Sequence, residues 1–147
     1  MTKQKTYKSI LLQIESLVAG ETDMIAKMAN VAAVLHEAFG FWWTGFYRVE
    51  GQQLVLGPFQ GPIACTHIPY GKGVCGTAWQ RAKTIIVPNV HEFAGHIACS
   101  SASNSEIVVP ILRDGQVIAV LDIDSKDFNT FDETDQRYLE QISQLIL

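Results

Sequence analysis

Two hydrophobic rhythms divide the chain. From Tyr7 to Ala19 apolar side chains fall at Ile10, Leu11, Ile14, Leu17 and Val18. That is the spacing of a helix with one buried face, and Gly20 marks its end. Thr22 or Asp23 can cap a second helix, whose face runs through Met24, Ile25, Met28, Val31, Ala32, Leu35 and Phe39 to a stop at Gly40. The methionines lie on that face, so they belong to packing rather than to metal binding.

The rhythm then shifts toward strands. Residues 42–49 are aromatic and β-prone, residues 50–52 form a turn, and residues 53–59 complete a hairpin. A third short strand is expected over residues 63–68, a glycine-rich turn over 69–73, a short helix over 74–82 and a small strand over 84–87. A long connection then runs from Pro88 to Ser105. Ile107–Leu112 and Gln116–Ile123 flank Arg113-Asp114-Gly115, a hairpin signal, and both are apolar on both faces, so they should be central and covered on each side. From Asp132, Tyr138, Leu139, Ile142, Leu145 and Ile146 recur at helical spacing, with Asp132 or Thr134 as cap. Helices, then an antiparallel sheet, then a helix predict one α+β domain over residues 1–147.

Composition narrows the function classes. Net charge is -4 with no block of Lys or Arg, so nucleic-acid binding has no electrostatic footprint. No apolar run is long enough to span a bilayer, so no membrane partner is expected, and the N-terminus lacks the pattern of a signal peptide. Cys65, Cys75 and Cys99 are odd in number and form no CxxC pair; that predicts a cytoplasmic protein without a structural disulfide framework. His67, His91 and His96 lie near them in sequence without recognisable ligand spacing, so no metal is expected.

Candidate chemistry gathers around the polar stretch Gly95–Glu106, GHIACSSASNSE, which feeds the apolar strand from Ile107. Asp122 and Asp124 lie two apart on a strand and share a face. Whether Glu106 joins them depends on the hairpin. A three-residue loop Arg113-Asp114-Gly115 pairs Leu112 with Gln116 and sets Glu106 opposite Asp122; a two-residue loop Asp114-Gly115 sends Glu106 to the other face. The three-residue loop is preferred, because it also leaves Arg113 in the exposed turn. Three carboxylates would then meet, with Lys126 the only basic residue close by in sequence. Such a cluster is tolerated if one group stays protonated or a cation sits among them; a bound ammonium would serve, and a protonated acid can donate to a substrate oxygen. Among the cysteines, Cys75 follows Gly71 and Gly73 at a helix start, where the dipole favours a thiolate. Physical reasoning slightly favours it over Cys99, and spacing leaves the choice open.

The segments FWWTGFY, GKGVCGTA, VHEFAGHIACSSASNSEIVVP and VLDIDS together resemble the free methionine-(R)-sulfoxide reductase family, single-domain GAF proteins. The match runs from the second helix to Phe131. The resemblance implies a GAF fold, a central antiparallel sheet with helices from both chain ends packed on it. It also implies reduction of free methionine-(R)-sulfoxide, with a part in oxidative stress defence and no cofactor beyond thioredoxin as external reductant. By this resemblance Cys99 is the nucleophile that becomes a sulfenic acid, Cys65 the resolving cysteine and Cys75 an auxiliary one; which pair forms a trapped disulfide stays open. Glu106, Asp122 and Asp124 match substrate-binding acids, Asp124 or Glu106 serving also as proton donor. Trp43 matches the aromatic residue over the substrate methyl, with Tyr47 as its neighbour and Ser103 in the binding loop. Backbone amides between Cys99 and Ser105 are expected to take the substrate carboxylate. Apolar residues of the first helix offer a surface for a homodimer. The alternatives are a GAF module that binds a small ligand or nucleotide, and a thiol redox sensor without a substrate.

Overall fold

The computed structural model describes residues 1–96 and 102–147. Helix α1 (Lys3–Val18) starts at the Thr2 cap, whose hydroxyl accepts from the Lys5 amide, four residues before the start expected from the pattern. It buries Tyr7, Ile10 and Ile14, while Leu17 of the expected face stays 44% exposed. Helix α2 (Met24–Phe39) is capped by Asp23 and closed by Gly40 in the left-handed region at φ 65, where a glycine carries no steric penalty.

Six strands follow: β1 (Trp43–Glu50), β2 (Gln53–Gln60), β3 (His67–Pro69), β4 (Ile85–Val87), β5 (Ser105–Arg113) and β6 (Gln116–Ser125). They form one antiparallel sheet in the order β3-β2-β1-β6-β5-β4. Helix α3 (Gly73–Arg81) lies between β3 and β4 in sequence, and α4 (Glu133–Gln144) ends the chain behind a capping box of Asp132 and Asp135. Among the described residues no helix is long and apolar enough to cross a membrane.

The sheet divides two cores, as the two-faced apolar strands require. On one face Ile107, Val109, Leu121 and Ile123 pack with Tyr7, Met28, Leu35 and Leu139 from the three long helices. Tyr7 stacks on Tyr138, and its hydroxyl donates to the buried Asp135, which also receives Lys3 at 2.6 Å. This joins the two ends of the chain. On the other face Val108 and Val120 pack with Trp43, Tyr47, Val74, Cys75 and Ala78. Here the cover is only α3 and loops, and here a cavity forms.

Two expectations are corrected. The third strand is not residues 63–68 but His67–Pro69, pairing Val55 with His67. Carried further, the ladder would meet Pro58, which has no N–H to donate; the chain leaves the sheet there, and Ile63 is 89% exposed. The hairpin loop is not three residues long. Arg113 pairs with Gln116 across the two-residue turn Asp114-Gly115, whose φ values are 52 and 79. That is the turn an Asp-Gly pair favours. By itself it would turn Glu106 away from the other acids. A β-bulge between Ile111 and Leu112, after which Ile111 pairs with Ala119, shifts the register by one residue. Such a bulge sets two residues against one, and it returns Glu106 to the face of Asp122 and Asp124.

Candidate active site

The pocket is built from paired positions on three strands. Trp43 of β1 lies opposite Asp124 of β6, Gly45 opposite Asp122 and Tyr47 opposite Val120. Glu106 of β5 completes the set opposite Asp124. Paired residues share a face, so one aromatic row and three carboxyls look the same way. Above them α3 contributes Gly73, Val74 and Cys75, and loops contribute Ile63, Ala64, Lys72, His96 and Ser103. The cavity opens to solvent, and its space including that open mouth is about 530 Å³.

Trp43 is held as a wall. Its ring stacks against Phe59 at 5.2 Å and Tyr47 at 5.9 Å, and its indole N–H donates to the Pro62 carbonyl at 3.0 Å. Gly45 makes room for it: a Cβ there would lie 2.6 Å from the indole and 2.4 Å from Phe59 Cβ. Gly61 does the same from the far side, at φ +128 and with the indole 2.9 Å from its notional Cβ. The Tyr47 hydroxyl donates to the Cys65 carbonyl at 2.9 Å and so ties that segment to the sheet.

The carboxyls are the electrostatic centre. Glu106 and Asp122 are each 6% exposed, while Asp124 is half-buried. Burial pushes Glu106 well above the usual carboxylate range, with the charges of Asp122 and Asp124 adding to it. Burial likewise raises Asp124, helped by Asp122 and opposed by hydrogen bonds from Glu106 and Ser103, whose hydroxyl lies 3.3 Å away. Asp122 is raised by burial against hydrogen bonds from Glu106 and Cys75. Among the described residues, Asp122 Oδ1 is buried without a hydrogen-bond partner. Among the described residues Lys126 makes no ion pair with these acids, and its ammonium sits 4.0 Å over the Trp42 ring. Burial and mutual repulsion thus favour the protonated forms of Glu106 and Asp124.

The cysteines differ in state. Cys65 is half-buried and disulfide-bonded. Cys75 is free and buried. The expectation that its helix start would favour a thiolate is overturned: burial raises the thiol well above its ordinary value, and the charges of Asp122, Glu106 and Asp124 raise it further. A helix dipole is worth about 0.3–1 kcal/mol, too little against full desolvation beside three acids. Cys99, the other candidate, lies outside the described residues, as do residues 97, 98, 100 and 101 of the polar stretch. Cys75, Glu106 and Asp122 each offer a ligand atom within 4.8 Å of the others. A borderline divalent ion there would have to displace the protons that burial keeps on them. Of the three histidines near the cysteines in sequence, His96 alone lines the cavity; burial and the neighbouring His91 lower its pKa, so it is neutral.

Sequence reasoning thus named Trp43, Tyr47, Cys75, Ser103, Glu106, Asp122 and Asp124, all of which line one pocket. It missed Lys72 and Ile63 on the wall and Gly45 and Gly61 behind the indole. A glycine inside an otherwise aromatic strand was the available signal for Gly45, since such a glycine marks a close approach.

A family model described as GAF domain matches residues 19–146. GAF domain-containing protein A of Dictyostelium discoideum is 57% identical over 99% of this chain and 92% of its own length. Free methionine-R-sulfoxide reductase of Escherichia coli strain K12 is 48% identical over 97% of this chain and 87% of its own. Among solved structures, free methionine-R-sulfoxide reductase from Neisseria meningitidis in complex with its substrate superposes with a TM-score of 0.97 at 53% identity, covering 99% of this chain and 89% of that one.

Proposed function

Since the chain belongs to the free methionine-R-sulfoxide reductase family of GAF-domain proteins, we propose that it reduces free L-methionine-(R)-sulfoxide to methionine and is recycled by thioredoxin. The observation that carries the reading is the trio of carboxyls Glu106, Asp122 and Asp124, held above the usual carboxylate range and facing an aromatic wall at Trp43. A sulfoxide needs a proton on oxygen as a thiol attacks sulfur. An amino acid needs a counter-charge for its ammonium. One cluster supplies both.

In this reading the Cys99 thiol adds to the sulfoxide sulfur while the Glu106–Asp124 pair delivers a proton to the oxygen. The oxygen passes from the substrate sulfur to the Cys99 sulfur as the substrate S–O bond and the transient Cys99–substrate S–S bond break, so methionine leaves and Cys99 becomes a sulfenic acid. The Cys65 thiol then displaces that oxygen as water and forms the disulfide. That Cys65 is the disulfide-bonded cysteine and Cys75 the free one supports Cys65 as the resolving partner. A thioredoxin dithiol reduces the disulfide by exchange and becomes oxidised in turn. Asp122, with its unpaired oxygen, receives the substrate ammonium. That cation offsets the acidic potential and eases ionisation of the attacking thiol.

The test is thioredoxin-coupled turnover with free methionine-(R)-sulfoxide, the S epimer and a peptide-bound sulfoxide. Turnover of the free R form alone is expected. Binding of an amino acid without turnover would leave a ligand-binding module instead.

A further inference from the structure

Cys65 is half-buried and disulfide-bonded, whereas Cys75 is buried and keeps its thiol. Exchange brings an incoming thiolate into contact with the sulfur it attacks. A protein that carries this thiolate therefore covers the chain beside Cys65. Residues 61–66 connect β2 to β3, the edge strand of the sheet, and form no regular element of their own. Three bonds hold them: the Trp43 indole N–H donates to the Pro62 carbonyl, the Tyr47 hydroxyl to the Cys65 carbonyl and the Leu56 amide to the Thr66 carbonyl. Between these anchors the N–H and C=O groups of Ile63 and Ala64 meet no partner among the described residues. The Ile63 side chain, 89% exposed, is the most exposed large apolar one among the described residues after Met1.

A single exposed isoleucine needs no explanation in itself. Its place supplies one. It stands two residues before the disulfide-bonded cysteine, on a segment pinned from both sides, with open backbone donors and acceptors around it. Residues 51–70 contain no Asp, Glu, Lys or Arg, so recognition along this strip is apolar and main-chain rather than ionic. A protein that lays an extended chain against such a segment gains backbone hydrogen bonds and one apolar contact. A small dithiol gains neither.

Resting on the function proposed above, we infer that the strip from Pro62 to Ala64, with Ile63 as its apolar anchor, is the docking surface for the thioredoxin that recycles the enzyme. One thiolate of the docked dithiol bonds to the Cys65 sulfur. The existing S–S bond breaks, and the sulfur that Cys65 held leaves as a thiolate and takes up a proton. The second thiol of the dithiol, losing its proton, then displaces Cys65, which is protonated in turn. Two electrons pass to the enzyme, and thioredoxin leaves as the disulfide.

The experiment compares two reductants, thioredoxin with its reductase and NADPH, and dithiothreitol, at saturating free L-methionine-(R)-sulfoxide. In Ile63→Ser the ratio of kcat/KM for thioredoxin to kcat/KM for dithiothreitol should fall by about tenfold, the effect of withdrawing one isoleucine side chain from a buried contact. Ile63→Leu, which keeps the apolar side chain, should restore most of that ratio. The melting curve should not move, because the side chain is exposed. A ratio that Ile63→Ser leaves unaltered overturns the docking surface, and equal slowing with both reductants assigns Ile63 to the substrate wall instead. Wild-type turnover with dithiothreitol but not with thioredoxin overturns the partner. No wild-type turnover with either reductant would overturn the function on which the surface rests.

Discussion

Glu106 and Asp124 face each other across the β5–β6 ladder, two carboxyls at directly paired positions. Like charges at such positions destabilise a sheet, and both groups are held above the usual range by burial and by neighbouring carboxylates. A proton on one of them relieves the conflict, and burial favours it; a protonated carboxyl is also what a proton donor to a sulfoxide needs.

This pair makes function and stability oppose each other. Unfolding releases the acids to ionise at ordinary values near 4, so the native state is progressively penalised as pH rises from about 4 toward their raised values. Asp124→Asn removes one ionisable group. It should leave stability little changed near pH 3 and raise the melting temperature at pH 8, by about 2–4 °C for each kcal/mol gained. Activity should fall about a hundredfold if the carboxyl shares in proton delivery. Thermal melts across pH and steady-state rates check both; wild-type rates in a less stable variant would remove the acid from the chemistry.

Gly45→Ala should move the Trp43 wall. The added methyl meets the indole and Phe59 Cβ well inside contact distance, and such overpacking costs about 1–3 kcal/mol. The expected signature is a large rise in KM for the free sulfoxide together with a changed tryptophan fluorescence. Normal KM with normal emission would mean that the ring does not line the bound substrate.

Tyr47→Phe should act on the second chemical step. Its hydroxyl holds the Cys65 carbonyl, not a substrate atom, so release of the first methionine should persist. Disulfide formation should slow several-fold, seen as a longer-lived sulfenic acid trapped by dimedone. Equal slowing of methionine release would place the hydroxyl at the first step instead.

Tyr7→Phe tests the join between the chain ends. It strips a buried hydroxyl from Asp135, leaving that carboxylate to Lys3 and the helix cap. A stability loss of about 1–3 kcal/mol is expected, with kcat unchanged because Asp135 lies across the sheet from the pocket. Chemical denaturation and rate measurements separate the two effects.

Much of this was legible in the sequence because periodicity and caps act locally. The α2 boundaries, the Asp132 cap and the central position of β5 and β6 followed from spacing and side-chain chemistry alone. The hairpin register did not. Asp114-Gly115 announces a two-residue turn, but the bulge at Ile111/Leu112 leaves no residue-type signal, since all residues around it are apolar. The three acids were therefore correctly grouped through an incorrect loop, with Glu106 opposite Asp124 rather than Asp122. Cys75 shows the converse failure. Its helix start was visible, whereas its burial among carboxyls belongs to tertiary structure.

The most direct test is a single turnover without reductant. Fully reduced protein is mixed with excess free L-methionine-(R)-sulfoxide, and methionine and remaining thiols are counted. The account predicts one methionine per chain and a fall from three thiols to one. Cys65→Ser should still release one methionine, while Cys99→Ser should release none. Methionine from Cys99→Ser, or equal yield from a peptide-bound sulfoxide, would contradict it.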